Sequence, residues 1–490
     1  MQHAFSFLQK ETLMLPANID QPLNSLGLII TARDIEKELL KELHFKAYQD
    51  TIKDIDHHLA QLDIDFEGKQ IPISIVPTII QHHELEQIAC EGKNIRRALE
   101  KIIEVFCAEH KAGDHTAPLH HFFLPYKKWW DLIASEARCI SHIQLMRFDA
   151  IHHEKNTWKF LETNTCCPGG VIHCGKIRNA WLMTKIGYRF RKKYAFQEYE
   201  IDSANGFLFH IFKKCKQAHP EQEVHVAICS YKECYKNELA SLKKQHERLK
   251  LLSEFSNSKL IICDIQDIQC YNEKAYYAGV PLSLIYNKID PLMVNPDDTK
   301  IQGWIHASKS EQVTFLNSLG AMYLTETKRS LALLHDKKMQ KYLKLSGDEC
   351  KAIENHIPQT WIIHNGESIQ KTQSILELAK KKTHYVIKAD ALTRGAGVYV
   401  GNITSEAEWK KALIDFETGK SVLQEKVNLP LRQNYCMIDK DTLQTQQEYY
   451  GIDLFYFGDA FAGAVSRSHI NQVFNIGNGG KESPLLAIIK

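Results

Sequence analysis

Apolar residues in this chain recur with two different periods, and the places where the period changes divide it into regions. Over residues 34–62, Leu39, Leu40, Leu43, Ala47, Ile52, Ile55 and Leu59 fall at helical spacing and predict one long helix; a second helical run covers 83–107. Between them, I-P-I-S-I-V-P-T-I-I is short, β-branched and punctuated by proline, the pattern of a connection or an edge strand. Residues 142–149 and 157–162 are strand-like and flank the polar segment 152–156, which predicts a hairpin. Helical runs follow at 176–188 and 205–217. The order then becomes strand H-V-A-I-C-S, helix 235–255, strand K-L-I-I-C-D and, after a turn around Gly279 and Pro281, strand L-S-L-I-Y-N. Strands alternating with a long helix predict a βαβ unit and a largely parallel sheet. Beyond Tyr323 come helices at 326–335 and 346–356, strand T-W-I-I-H, helix 368–380 and strand H-Y-V-I-K. The C-terminal region is β-rich and splits at Gly458-Asp459.

Composition narrows the class. The chain has 490 residues, 44% of them apolar, enough for about three domains with substantial cores. Lys+Arg of 61 against Asp+Glu of 59 leaves no global field to attract nucleic acid or an anionic membrane. The first ten residues lack a basic segment followed by an apolar one, and no apolar run reaches the length of a bilayer span, so a soluble protein is expected. Thirteen scattered cysteines suit reduced thiols better than a disulfide framework, which makes the cytoplasm the expected compartment.

Candidate chemistry begins in the hairpin. Glu162 and Asn164 are two residues apart and share a face, and Asp149 on the neighbouring strand reaches the same spot. Two carboxylates and a carboxamide form a hard-oxygen set suited to Mg²⁺; the same spacing also suits a solvated hairpin end. Asn287, Lys288 and Asp290 follow a strand's carboxyl end, where open α/β sheets place ligands, although an ordinary polar loop reads the same way. Lys388 ends a strand and precedes A-D-A-L-T-R-G-A-G-V-Y-V-G, a glycine hairpin whose backbone N–H groups could cover phosphates, or a common tight turn. Gly419-Lys420-Ser421 is not a phosphate loop of the Walker type, because residue 414 is Ile and the flanking order is helix then strand. The aromatic run from His120 to Trp130 reads as packing. Cys166-Cys167 with His173 and Cys174 matches no established zinc spacing.

Taken in order, F-L-E-T-N-T-C-C-P-G-G, L-I-Y-N-K-I-D-P, E-T-K-R-S-L-A-L-L, Y-V-I-K with its glycine loop, Q-E-K-V and S-R…N-G-G-K resemble the ATP-grasp ligases. Their order is that of the circularly permuted branch that includes relatives of glutathionylspermidine synthase. The resemblance runs from Ser141 to the C-terminus. It implies an α/β (α+β) fold: a circularly permuted ATP-grasp with a small parallel-sheet α/β domain and a helical N-terminal region. The expected divisions are 1–135, mainly helical; 136–220, the metal-binding part of the core; 221–322, the α/β domain; and 323–490, the nucleotide-binding lobes.

Carried over by residue, the resemblance implies ATP and Mg²⁺ as cofactors, with Asp149, Glu162 and Asn164 as metal ligands. Lys328 and Lys388 would face phosphate oxygens, Thr393, Arg394, Gly395, Ala396 and Gly397 would form the phosphate loop, and Gln424, Glu425, Lys426 and Val427 the adenine hinge. Arg467, Lys388 and Arg394 would be the catalytic cations, Arg467 steadying an acyl-phosphate, and N-I-G-N-G-G-K would supply further backbone donors. The chain departs from its relatives at Cys166, where a basic residue is common, and at Pro168-Gly169-Gly170. The implied reaction joins a small-molecule or peptide carboxylate to an amine or thiol. A phosphotransferase on the same scaffold and a non-catalytic nucleotide-binding or interaction protein stay open, as do both substrates and the oligomeric state.

Overall fold

The computed structural model describes residues 31–61, 71–135, 141–153, 157–203, 206–232, 236–364, 369–392, 395–437, 441–473 and 476–489. Two sheets shape its centre. The larger has six strands: Lys481–Ser483, Ala460–His469, Leu443–Phe457, Leu145–His153 and Thr157–Asn164 in that spatial order, with Leu431–Met437 added against Leu443–Phe457. All of its pairings are antiparallel. The smaller has four strands, Thr360–Trp361, Ser421–Glu425, Tyr385–Ala389 and Val398–Val400, also antiparallel.

The expected parallel sheet is present, in the order Thr314–Leu316, Leu284–Asn287, His225–Ser230, Lys259–Asp264. Its fourth strand, Thr314–Leu316, and an adjoining meander of Gln269–Tyr271, Lys274–Tyr277 and Val280–Leu282 were not legible in the periodicity, because strands of three or four residues are too short to show one. The strand expected over L-S-L-I-Y-N is therefore split: Val280–Leu282 belongs to the meander and Leu284–Asn287 to the parallel sheet. This sheet also anchors the central hairpin. Asn317, just past Thr314–Leu316, accepts the Gln144 and Leu145 amides at 2.7 Å and donates to the Leu145 and Thr165 carbonyls.

The single helix expected at 34–62 is two, Ala32–Glu42 and Phe45–Gln61. Ile35, Leu39 and Leu43 keep a spacing of four, but the next buried residue is Tyr48, five on; the break at Leu43 absorbs that slip in phase. A similar break at Thr184 divides the expected 176–188 helix into Cys174–Met183 and Lys185–Lys193, with Thr184 capping the second through the Gly187 amide. The proline-rich run 71–80 is largely buried and ends in Thr78–Gln81, which pairs in parallel with Leu485–Ile488. The helix expected at 326–335 begins only at Arg329, after a wide turn over Ala321–Thr325.

The 30-residue helix His82–Lys111 packs its Ile95, Leu99, Ile102 and Phe106 side into the main core. The aromatic run joins that core through Phe122, Phe123, Tyr126 and Trp130, as packing. No helix among the described residues is long and apolar enough to cross a membrane.

Candidate active site

Alternation along the strands of the larger sheet puts charge on one face. Arg147 and Asp149 are two apart on Leu145–His153, as are Glu162 and Asn164 on the partner strand, and register places Arg147 opposite Asn164 and Asp149 opposite Glu162. On the other side Asp149 lies opposite Asp453, and Arg467 lies opposite Glu482. Three carboxylates in one cross-strand row repel one another unless cations sit between them. Arg147 and Arg467 supply those cations. Arg147 Nε donates to Asp149 Oδ1 at 2.8 Å, and Arg467 Nη2 donates to Asp149 Oδ2 at 2.6 Å and to Asp453 Oδ1 at 2.7 Å.

The titration of the two aspartates separates accordingly. Burial would push the Asp149 carboxyl up, but Arg147 and Arg467 outweigh it and hold it well below the usual carboxylate range. For Asp453 burial wins, and the same two arginines offset it only in part.

The smaller sheet faces this row across a cavity of about 300 Å³. Lys388, on Tyr385–Ala389, is buried there and donates to Gln424 Oε1 at 2.6 Å and to the Leu161 carbonyl at 3.0 Å, the second bond crossing to the hairpin. Both partners are neutral. Burial lowers its ammonium to about 8, with Glu162 opposing the shift. Lys328 precedes the helix Arg329–His335 and donates to the Leu392 carbonyl at 2.9 Å, with Glu162 Oε1 3.1 Å from its ammonium. Burial would lower it, but Glu162 more than compensates and holds it up. Glu326 accepts the Thr165 and Cys166 amides, and burial raises its carboxyl to about 7.

Of the residues singled out from the sequence, Asp149, Glu162, Asn164, Lys388, Gly395 and Arg467 line this one cavity. Gln424, Glu425, Lys426 and Val427 line it too. The Glu425 and Lys426 amides are bonded to the Gln359 and His384 carbonyls, and Gln424's side chain orients Lys388. Lys328 reaches the cavity through Glu162. Gly397 has φ +68°, and a Cβ there would stand 2.6 Å from Ala389 Cβ, so the turn after Lys388 requires glycine. Ala396 lies in the same turn. Thr393, Arg394 and Asn475 lie outside the described residues, as do 154–156 of the hairpin turn and the first ten residues.

The remaining candidate residues divide between the cavity and contacts within the protein. Of Asn287, Lys288 and Asp290, Lys288 lines the cavity; Asn287 is buried against Trp304 Nε1, and Asp290 accepts the Leu292 amide. Lys481 turns to Glu448, whereas Ile476 and Gly477 line the cavity. Gly419, at φ +71°, is a helix-to-strand turn. Cys166 donates to the Ile289 carbonyl; its neighbour Cys167 and burial push its thiol well up, away from the thiolate a metal needs.

Arg147, Asp453, Glu482 and Glu326 escaped the sequence reading. A signal existed for two of them: Arg147 stands at i−2 from Asp149, and Asp453 interrupts the apolar strand G-I-D-L-F-Y-F.

The donor set suits Mg²⁺ chemically, being all oxygen. Asp149 accepts from Arg147 Nε and Nη2, Asn164 Nδ2 and Arg467 Nη2, as many bonds as a carboxylate has lone-pair positions, so ligation there requires an arginine to let go. Phosphate oxygens are the natural competitors for those arginines.

No protein-family model and no curated protein matches the sequence. Among solved structures, a glutathione synthetase-like effector from Globodera pallida, in apo form, superposes with a TM-score of 0.58 at 12% identity, over 90% of this chain and 96% of that one. A protein assigned as a gamma-glutamylcysteine synthetase from Methylobacillus flagellatus scores 0.39 at 12% identity, over 79% and 86%. D-alanyl-alanine synthetase A from Vibrio cholerae scores 0.27 at 9% identity, over 46% and 67%. The first likeness is the one that bears on architecture. The fold is ATP-grasp-related.

Proposed function

We propose that the protein binds ATP with Mg²⁺ in the cavity between its two central sheets, converts a carboxylate to an acyl-phosphate, and passes the acyl group to an amine or thiol. The observation that carries this reading is the meeting of Asp149, Glu162 and Arg467 on the wall formed by the larger sheet with Lys388 on the wall formed by the smaller one, around one cavity. Mg²⁺, when bound, supplies charge neutralisation between carboxylates and phosphates; Asp149, Glu162 and Asn164 would hold it.

The chain's own groups then have distinct tasks. Lys388, buried with only neutral oxygens at hydrogen-bond distance among the described residues, gains most from an anionic partner, and Gln424 aims it. Arg467 directs one nitrogen at two carboxylates while its buried Nε has no partner among the described residues, leaving a donor for a developing oxyanion. Lys328 neutralises Glu162 until phosphate draws the ammonium away. The turn holding Gly395 and Gly397 would cover the phosphates with backbone N–H groups and exclude water. Catalysis here rests on positioning and charge, with no protein nucleophile. In chain order the acidic hairpin precedes the lysine strand, which is the permuted arrangement we assign to this fold. The small-molecule or peptide acid and its amine or thiol partner would occupy the cavity beside Lys288.

The test is ADP release with Mg²⁺ across panels of amino acids, small acids and polyamines, in wild type and Lys388→Ala. A ligase releases phosphate and forms an amide or thioester, whereas a phosphotransferase leaves a stable phosphorylated acceptor. Silence throughout, together with no ATP-dependent thermal shift, would reject both.

A further inference from the structure

Away from the cavity, at the far end of the helix His82–Lys111, three imidazoles converge. His110 lies in that helix's last turn, His115 in the following turn and His120 in the short helix Pro118–Phe122. One ligand nitrogen from each lies within 4.8 Å of the others, and none of the three lines the cavity. They grade from buried His120 through half-buried His110 to exposed His115.

The hydrogen bonds around the cluster fix which nitrogens face inward. Glu109 is held by the Leu119 amide and the Tyr342 hydroxyl on Oε1, and its Oε2 takes the His120 amide and His120 Nδ1, the latter at 2.9 Å. His120 donating there presents a lone pair at Nε2. His110 Nε2 lies 3.1 Å from Asp131 Oδ1; donating there, it presents a lone pair at Nδ1. These two lone-pair nitrogens stand 3.2 Å apart, and the rings stack at 10° between planes. Two lone pairs at that distance repel unless a cation lies against both or a proton is shared between them.

The spacing fits a metal. Bonds of 2.0–2.1 Å in a tetrahedron separate ligand nitrogens by about 3.3 Å. The His110–His120 pair is already there, and exposed His115 needs to swing by no more than about 1.5 Å to join. Two of the three imidazoles also have a carboxylate on the nitrogen turned away, Glu109 for His120 and Asp131 for His110, the second layer that orients and strengthens metal-bound histidine.

We propose that His110, His115 and His120 form a binding site for a borderline divalent cation, Zn²⁺ by ligand chemistry, with water in the fourth position. The ion staples the end of the long helix to the turn and helix that follow it. Stabilisation then grows with free Zn²⁺ as mass action requires.

The probe is Zn²⁺ itself, titrated into metal-stripped full-length protein against a chromophoric chelator, with Co²⁺ as the spectroscopic substitute. One ion per chain is expected, with tetrahedral visible bands for Co²⁺ and a rise in melting temperature. His115→Ala, at an exposed position that leaves the fold intact, and His110→Ala should each weaken binding at least 100-fold. Asp131→Asn should weaken it about tenfold, and His121→Ala, on the exposed neighbour, should leave it unchanged. Absence of a stoichiometric ion, or its retention in either His115→Ala or His110→Ala, overturns the proposal and makes the cluster a plain His–His hydrogen bond.

Discussion

Two buried arginine–aspartate clusters lie on either side of the lysine strand, and they are built to opposite ends. In one, Arg329 spends every arm inside the protein: Nε on Asp390, Nη1 on the Phe122 carbonyl and Nη2 on the Gly419 carbonyl, with Tyr126 and Phe122 against its guanidinium. Asp390 is saturated in turn by Thr327, the Arg329 amide and side chain, and Tyr126. In the other, Arg467 crowds two carboxylates onto one nitrogen and faces a cavity. A buried ion pair whose valences are all met holds architecture; one on a cavity wall that keeps a donor unpaired among the described residues is poised for a ligand. The first cluster also positions the lysines at the cavity, because Asp390 follows Lys388 by two residues and its carbonyl accepts the Lys328 amide.

Substitutions should separate the two. The largest effect is expected at the closed cluster: Asp390→Ala leaves Arg329 buried and unpaired and should cost about 3–5 kcal/mol in urea unfolding, whereas a loss under about 1 kcal/mol would remove its architectural role. At the open site, Lys388→Ala should cut ADP release about 10²–10³-fold without lowering the melting temperature, since it removes a charge that burial penalises.

The pH response sharpens the same contrast. Lys388 titrates near 8 in the folded chain, below its ordinary value, so the unfolded chain binds the extra proton between 8 and that value, and stability gains from this group as pH rises through the window. Anion binding runs the other way. Affinity for ATP should be level below pH 8 and fall about tenfold per unit above it, and the fall should vanish in Lys388→Arg; a profile that stays level in wild type would remove Lys388 from the phosphate site. The smallest effect is expected for Gly397→Ala, where the positive φ and the Ala389 contact strain the covering turn by about 1–3 kcal/mol. Weaker ATP binding with a slightly lowered melting temperature is the expected readout.

Much of the cavity was legible from residue type and alternation. Asp149, Glu162 and Asn164 declare themselves because strand period two puts them on one face, and Lys388 because a lysine ends an apolar strand before glycines. What stayed hidden depends on register between distant strands: nothing local pairs Asp149 with Asp453 or turns Arg467 toward both. The surroundings of the 424–427 segment stayed hidden for a related reason, because Gln424 alternates inward to Lys388 while the neighbouring amides pair with Gln359 and His384, partners 42 or more residues away in the chain. Helix breaks at Leu43 and Thr184 were missed because a one-residue slip in phase barely disturbs a helical pattern.

The central claim is that acidic side chains of the hairpin and cationic ones of the later strands serve one nucleotide together. Calorimetric titration of ATP into wild type, Lys388→Ala and Glu162→Gln, each with and without Mg²⁺, tests it most directly. One ATP per chain is expected, bound more tightly with Mg²⁺ in wild type, with overall affinity lost in Lys388→Ala and the Mg²⁺ enhancement lost in Glu162→Gln. Absence of ATP binding, or the same Mg²⁺-dependent affinity in all three proteins, would contradict it.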